Sequence, residues 1–263
     1  MSAPNVPTVR LARQEVLAFS LCALFVGFFV AAEVLGGKLF RFQIFGIGPA
    51  DLGVGEGAEF VATAGILAFP LTFVMTDIVN EYFGKPMVRL FTLIAIGVNV
   101  LLQPVIRAAI AVPAISYTPG VSSDQMQEAY SIALGQTSAI VAASLVAFAL
   151  AQWLDAQVFT WLRRRTHGRM LWLRAQGSTV VSQLIDTLAV IFLAFVWIPA
   201  ATGGEPWTNA QALEVSLTNY VYKFLIAVVS TPSLYVVHIA VDAYLGKDVA
   251  RALSDAAHPG DAA

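Results

Sequence analysis

Long apolar runs constrain this chain more than any other feature. They lie at roughly 15–35, 60–81, 87–111, 138–162, 176–198 and 215–244, and each meets the about 20 residues a helix needs to cross a bilayer. Inside lipid the backbone must satisfy its own hydrogen bonds, so runs of this length specify helices. The expected fold class is an all-α integral membrane protein, a bundle of about six transmembrane helices. The chain is 58% apolar and 12% charged, where soluble domains carry about 25% charged residues, and its mean hydropathy is +0.74. The first run, Val16 to Ala32, follows Arg10 and Arg13. It exceeds the about 7–15 residue core of a signal peptide and five further runs follow, so it is expected to be retained as a helix.

Basic residues set the orientation. Arg10, Arg13, Lys85, Arg89, Arg163, Arg164, Arg165, Arg169, Arg174, Lys247 and Arg251 fall on one side, against Lys38, Arg41 and Arg107 on the other. This asymmetry predicts both termini in the cytoplasm. The expected division is a cytoplasmic segment 1–14, a six-helix transmembrane domain 15–245 and a disordered cytoplasmic tail 246–263. The glycine-rich stretch 36–57 reads as a flexible or re-entrant outer loop. Its Gly46-Ile47-Gly48 is expected neither to follow a strand nor to open a helix, which argues against phosphate binding. Residues 112–137 leave room for a short surface helix near Ser123–Leu134. A net charge of -2 provides no basic footprint for nucleic acid. Cys22 is the single cysteine, so neither an intrachain disulfide nor a cysteine metal site is expected.

Polar residues inside apolar runs carry the functional signal, because a charge at membrane depth is costly and is turned toward protein or water. Asp77 and Glu81 are four apart and share a helix face, with Asn80 beside them. Gln152 and Asp155 in the fourth run, and Gln183 and Asp186 in the fifth, are each three apart. Asp77 lies roughly 12 Å from Lys85, Asp155 roughly 12 Å from Arg163, and Gln183 roughly 13–14 Å from Arg174, at 1.5 Å per residue. Three helices thus bring acids or amides to a similar level, as a pocket would require. The plainer reading is interhelical glue, and Asp155 could instead pair with Arg163 or Arg164. A second group lies toward the outer face, where Lys223, with Asn219 one turn away, could pair with Glu33 or meet substrate. His238 and Asp242, at i and i+4, could form a proton-accepting pair or sit at the interface. Ser230-Thr231-Pro232 is expected to kink the last helix.

The run Phe69-Pro70-Leu71-Thr72-Phe73 followed by Thr76-Asp77-Ile78-Val79-Asn80-Glu81-Tyr82-Phe83-Gly84-Lys85 resembles the signature of the bacterial queuosine precursor transporters, formerly grouped with vitamin uptake transporters. Trp172-Leu173-Arg174 with Ser178-Thr179, then Ser182 to Thr187, then Tyr220 to Phe224 with Thr231-Pro232, follow in the same order. The resemblance implies inner-membrane uptake of 7-cyano-7-deazaguanine or 7-aminomethyl-7-deazaguanine, with no cofactor. Taken with the polar residues inside the runs, the candidate substrate contacts are Asp77, Asn80, Glu81, Gln152, Asp155, Gln183, Asp186 and Lys223. A carboxylate can accept two N–H groups of a guanine-like edge, and an amide can complement its carbonyl. The aminomethyl cation would gain about 2.3 kcal/mol per 100 mV of inside-negative potential.

Two other classes stay open. The chain could be the substrate-binding subunit of an energy-coupling-factor importer, with Ala23, Gly27 and Ala31 as a small-residue face for a partner helix or for packing within the fold. No Walker motif is present, so ATP hydrolysis would belong to another chain. A membrane enzyme is disfavoured by the lack of His-Glu-x-x-His and Gly-x-Ser-x-Gly. The expected partners are a small molecule and the lipid bilayer, and homo-oligomerisation is left open.

Overall fold

The computed structural model describes residues 11–43, 45–51, 59–135, 137–165 and 171–257. Within its helices the side chains at 69, 73, 77, 137–139, 149, 152, 153, 155, 156, 159, 160, 162–164, 171–179 and 226–235 lie outside the described set. The expected outer loop after helix α1 (Arg13–Leu35) instead holds a strand, β1 (Leu39–Phe42), which pairs antiparallel with β2 (Phe60–Thr63). The hairpin corrects two expectations. The second apolar run does not become helical at residue 60, and Gly46-Ile47-Gly48 does follow a strand, although among the described residues no helix opens directly behind it. Residues 60–63 are two β-branched or aromatic positions alternating with Ala62 and closed by Thr63. A short apolar run of this kind is as compatible with a strand as with a helix. Phe42 seals the pairing against Phe60 at 5.6 Å and against Tyr222 at 6.0 Å between ring centroids.

A 3₁₀ turn (Ala64–Ala68) leads into α2 (Phe69–Ala111), which carries Pro70 in its first turn, where a missing N–H costs nothing. At 43 residues α2 would be roughly 65 Å long if straight, twice a bilayer core. It is broken at Gly84, whose φ of 76° and ψ of 173° are not helical. Met75, Val79, Phe91 and Ala95 all enter one apolar cluster with Leu21 and Phe25 of α1. Both arms of α2 therefore pack on the same partner.

α3 (Ser123–Gly135) is the surface helix expected in the long outer segment, and none of its residues is buried. α4 (Thr137–Arg165) and α5 (Leu171–Phe192) follow. α5 runs on through a π-turn (Leu193–Trp197) into the short α6 (Ile198–Thr202), which ends on left-handed Gly203. α7 (Asn209–Leu245) starts from a capping box in which the Thr208 hydroxyl accepts from the Gln211 N–H and the Gln211 side chain accepts from the Thr208 N–H. α7 is helical through the Ser230-Thr231-Pro232 segment, whose side chains lie outside the described set.

The tail is a further correction. Residues 247–257 form a helix, α8 (Lys247–Ala257), where a disordered tail was expected, and the rest of that tail, 258–263, lies outside the described residues. Ala250 is buried and Leu253 packs on the α1–α2–α7 cluster, while Lys247, Asp248, Arg251 and Asp255 stay exposed. That apolar stripe supplies the burial energy a purely polar tail would lack.

Among the described residues, four stretches are long and apolar enough to cross a membrane: Arg13–Leu35, Ile78–Ala111, Ser123–Phe148 and Val180–Thr202. Ala64–Thr76 and Val236–Leu245 are shorter apolar helical stretches. Large apolar side chains such as Phe19, Leu101 and Ile239 point outward, as they do where lipid, not water, is the solvent. The chain is an all-α multi-pass membrane protein with one small hairpin. Of the small-residue face of α1, Ala23 and Gly27 are exposed and Ala31 is half-buried.

Candidate functional site

Lys223 is the centre of the polar interior. Its ammonium donates to Asp186 Oδ2 at 3.2 Å and to the Thr187 hydroxyl at 3.1 Å, with the lysine side chain 9% exposed and the aspartate 18%. Glu33 of α1 is buried within electrostatic range of both, and its Oε2 accepts from the Ser144 hydroxyl of α4 at 3.0 Å. Four helices thus contribute to one cluster: α1, α4, α5 and α7. Two carboxyl groups thus surround one ammonium. Glu33 also sits in the last turn of α1, where the helix dipole disfavours an anion. A hydroxyl and an ammonium offset that cost.

One turn before Thr187, Gln183 accepts the Thr187 hydroxyl on its backbone carbonyl at 2.8 Å. Its side-chain Oε1 is buried and meets no hydrogen-bond partner among the described residues. The Asn99 Oδ1 on the second arm of α2 is in the same condition, while its Nδ2 donates to the Ala95 carbonyl. Two carbonyl oxygens shut away from solvent without donors are costly, and each is an acceptor a ligand or water could use.

The β hairpin roofs this interior. The Thr63 N–H donates to Asn219 Oδ1 at 3.4 Å, one turn from Lys223 on α7. Asn219 is therefore a tie between hairpin and helix. Gly65 lies so close to α1 that a Cβ there would collide with the Ala32 carbonyl oxygen. Beyond Glu33 a cavity of about 320 Å³ is lined by Gly37, Leu39, Ile140, Phe195, Glu205 and Trp207, among others. Phe195 and Trp207 stack at 4.2 Å with 15° between their planes, and the Trp207 N–H donates to the Phe195 carbonyl at 2.8 Å. The π-turn that contains Phe195 displaces the usual i to i+4 pattern, as such turns do at functional sites.

The candidates divide in space. Asp186 and Lys223 are brought together, with Gln183 one turn away. Lys223 forms its ion pair with Asp186, and Glu33 is the third member rather than the partner. Glu81 is elsewhere: it is exposed and accepts from the Ser254 hydroxyl of α8 at 2.8 Å, beside the Gly84 break. Asn80 is partly buried on α2 with its Oδ1 enclosed. The side chains of Asp77, Gln152 and Asp155 lie outside the described set. Ser144 and Thr187 join the cluster unannounced. Thr187 stands next to Asp186, which was a usable signal, whereas Ser144 sits in an alanine-rich run like many helix-packing serines. Among the described residues no group of three or more His, Cys, Asp or Glu could hold a metal.

Comparison with known proteins supplies the setting. The profile of a family described as "Putative vitamin uptake transporter" matches residues 63–237. A Bacillus subtilis protein named "Probable queuosine precursor transporter" is 31% identical over 175 residues, 66% of this chain and 70% of that one. An Escherichia coli K12 protein named "Queuosine precursor transporter" is 29% identical over 176 residues, 67% of this chain and 72% of that one. No solved structure matches the chain. The matched span begins at the last residue of β2 and holds both Asp186 and Lys223 but not Glu33. On these matches the chain belongs to the queuosine precursor transporter family, within the wider vitamin uptake transporter group.

Proposed function

We propose that this chain imports queuosine precursors, 7-cyano-7-deazaguanine, 7-aminomethyl-7-deazaguanine or both, across a bacterial inner membrane. It would do so through six crossings with both termini in the cytoplasm, the vestibule of about 320 Å³ facing outward. The observation that carries the reading is the enclosed Lys223–Asp186–Glu33 cluster, in a protein of a transporter family. Asp186 supplies a carboxylate for the donor edge of a deazaguanine. Lys223 supplies a donor for its ring carbonyl, and Gln183 Oε1 an acceptor that lacks a donor among the described residues. The carboxylates of the cluster favour a ligand that presents N–H donors, the aminomethyl cation included. Asp77, Asn80, Gln152 and Asp155 would line the route from the cluster toward the cytoplasm, and Glu81 would stand at its exit.

Vesicles holding only the purified chain test this. Saturable uptake of labelled 7-deazaguanines without ATP is the expected result. Tight binding with no uptake until coupling proteins and ATP are added would replace the carrier with an energy-coupling-factor subunit.

A further inference from the structure

The opposite end of the molecule holds a second polar site that the substrate reading leaves unused. Tyr82 of α2 is buried among Leu21, Ile78, Val79, Val241 and Leu245. Its hydroxyl donates to Asp242 Oδ1 at 2.7 Å and lies 3.1 Å from His238 Nδ1. His238 and Asp242 are one turn apart on α7, and both are partly exposed. The single phenol proton goes to Asp242, so the other bond requires an N–H on His238 Nδ1. The three groups then form a directed chain, Nδ1–H to Oη and Oη–H to the carboxylate.

We infer that His238, Tyr82 and Asp242 form a proton-binding relay that couples substrate movement to a proton. The inference rests on the transport reading above. A proton arriving by the substrate pathway bonds to His238 Nε2 and makes an imidazolium. The Nδ1–H proton passes to Tyr82 Oη as the Oη–H proton passes to Asp242 Oδ1. The products are a neutral imidazole with its hydrogen on Nε2, an intact phenol and a carboxylic acid. One proton is gained, nothing is oxidised, and every bond in the chain now points the other way.

The consequence falls on the contact between α2 and α7. Before protonation Tyr82 donates to an anion, and such charge-assisted bonds are about twice as strong as neutral ones. Afterwards both bonds are neutral, so the tie loosens beside the Gly84 break. Lys223 lies 15 residues from His238 on the same helix, roughly 22 Å at 1.5 Å per residue. One helix, α7, therefore carries both the cluster and the relay.

Few other charges reach the relay. On α2, Glu81 is within electrostatic range of Tyr82 but is exposed and held by Ser254, and Lys85 is exposed. On α8, Lys247, Asp248, Arg251 and Asp255 are exposed. α1 presents apolar groups and Cys22, and its exposed Arg13 binds the Tyr244 carbonyl at the end of α7.

The test uses proteoliposomes of the purified full chain with labelled 7-deazaguanine, a pH gradient and an internal pH dye. Wild type should accumulate substrate about tenfold per pH unit, acid outside, for one proton per substrate, with internal acidification in step. Tyr82→Phe keeps the ring in its cluster, and Asp242→Asn keeps the shape of the acid. Both should retain substrate exchange with no gradient, which reports a folded carrier, and lose gradient-driven accumulation. Saturable uptake indifferent to the gradient, or a Tyr82→Phe variant that accumulates like wild type, overturns the relay alone. No uptake by wild type overturns the transport reading and the relay with it.

Discussion

The Lys223 ammonium is held inside the protein by Asp186 at 3.2 Å and Thr187 at 3.1 Å. Removing one partner of such a pair leaves an uncompensated charge away from water, which costs about 3–5 kcal/mol, whereas removing both is often neutral. Asp186→Asn and Lys223→Met should therefore each lower the melting temperature in detergent more than the double variant does. If the double variant is instead the sum of the singles, the two residues are not a coupled pair. On the proposed function, in which the cluster meets substrate, all three variants should also lose uptake. At this scale much was legible. Charged residues in apolar runs pointed to a buried polar cluster, and the Gln183-x-x-Asp186 spacing to one face of α5. The pairing of Lys223 was not legible, because Glu33 and Asp186 are equally plausible partners in a list of residues. Only the packing of α5 against α7 decides between them.

Gly84 is the element that makes α2 fit. Its φ of 76° with ψ of 173° belongs to a region essentially reserved for glycine, where other residues are strained by about 1–3 kcal/mol. A Cβ there would also stand 3.3 Å from the Ala257 carbonyl oxygen at the end of α8. Gly84→Ala should loosen α8, so that trypsin cuts at Lys247 and Arg251 at least several-fold faster in the variant. Equal digestion rates would show that α8 is held independently of the break. The sequence placed a boundary between the second and third runs here, because Gly84, Lys85 and Pro86 interrupt the apolar pattern. It did not show the hairpin, whose second strand is four residues merged into an apolar run, with no turn signal before Ala64. It did not show α8 either, whose apolar positions are few and matter only once a groove exists to receive them.

Across the whole molecule, the vestibule and the Lys223 cluster lie toward one end of α1, and the Tyr82 relay and α8 toward the other. Single cysteines at Gly204 and Asp255, in a Cys22→Ala background, should react with a membrane-impermeant reagent from opposite sides of intact cells, Gly204 from outside. The reverse pattern would turn the proposed import topology over. The π-turn at Leu193–Trp197 has a different consequence, one of chain length. A π-turn carries one residue more than the α-helix it interrupts. Deleting one residue from it would restore a plain helix and rotate α6 by about 100° relative to α5, at 3.6 residues per turn. Pro199 would swing out of the vestibule wall, while Asp186 and Lys223 kept their register. Such a deletion should change which purine analogues compete for uptake while sparing the ion pair. Relatives that differ by a single gap at this point would then differ in what they admit, with the same residues at the centre.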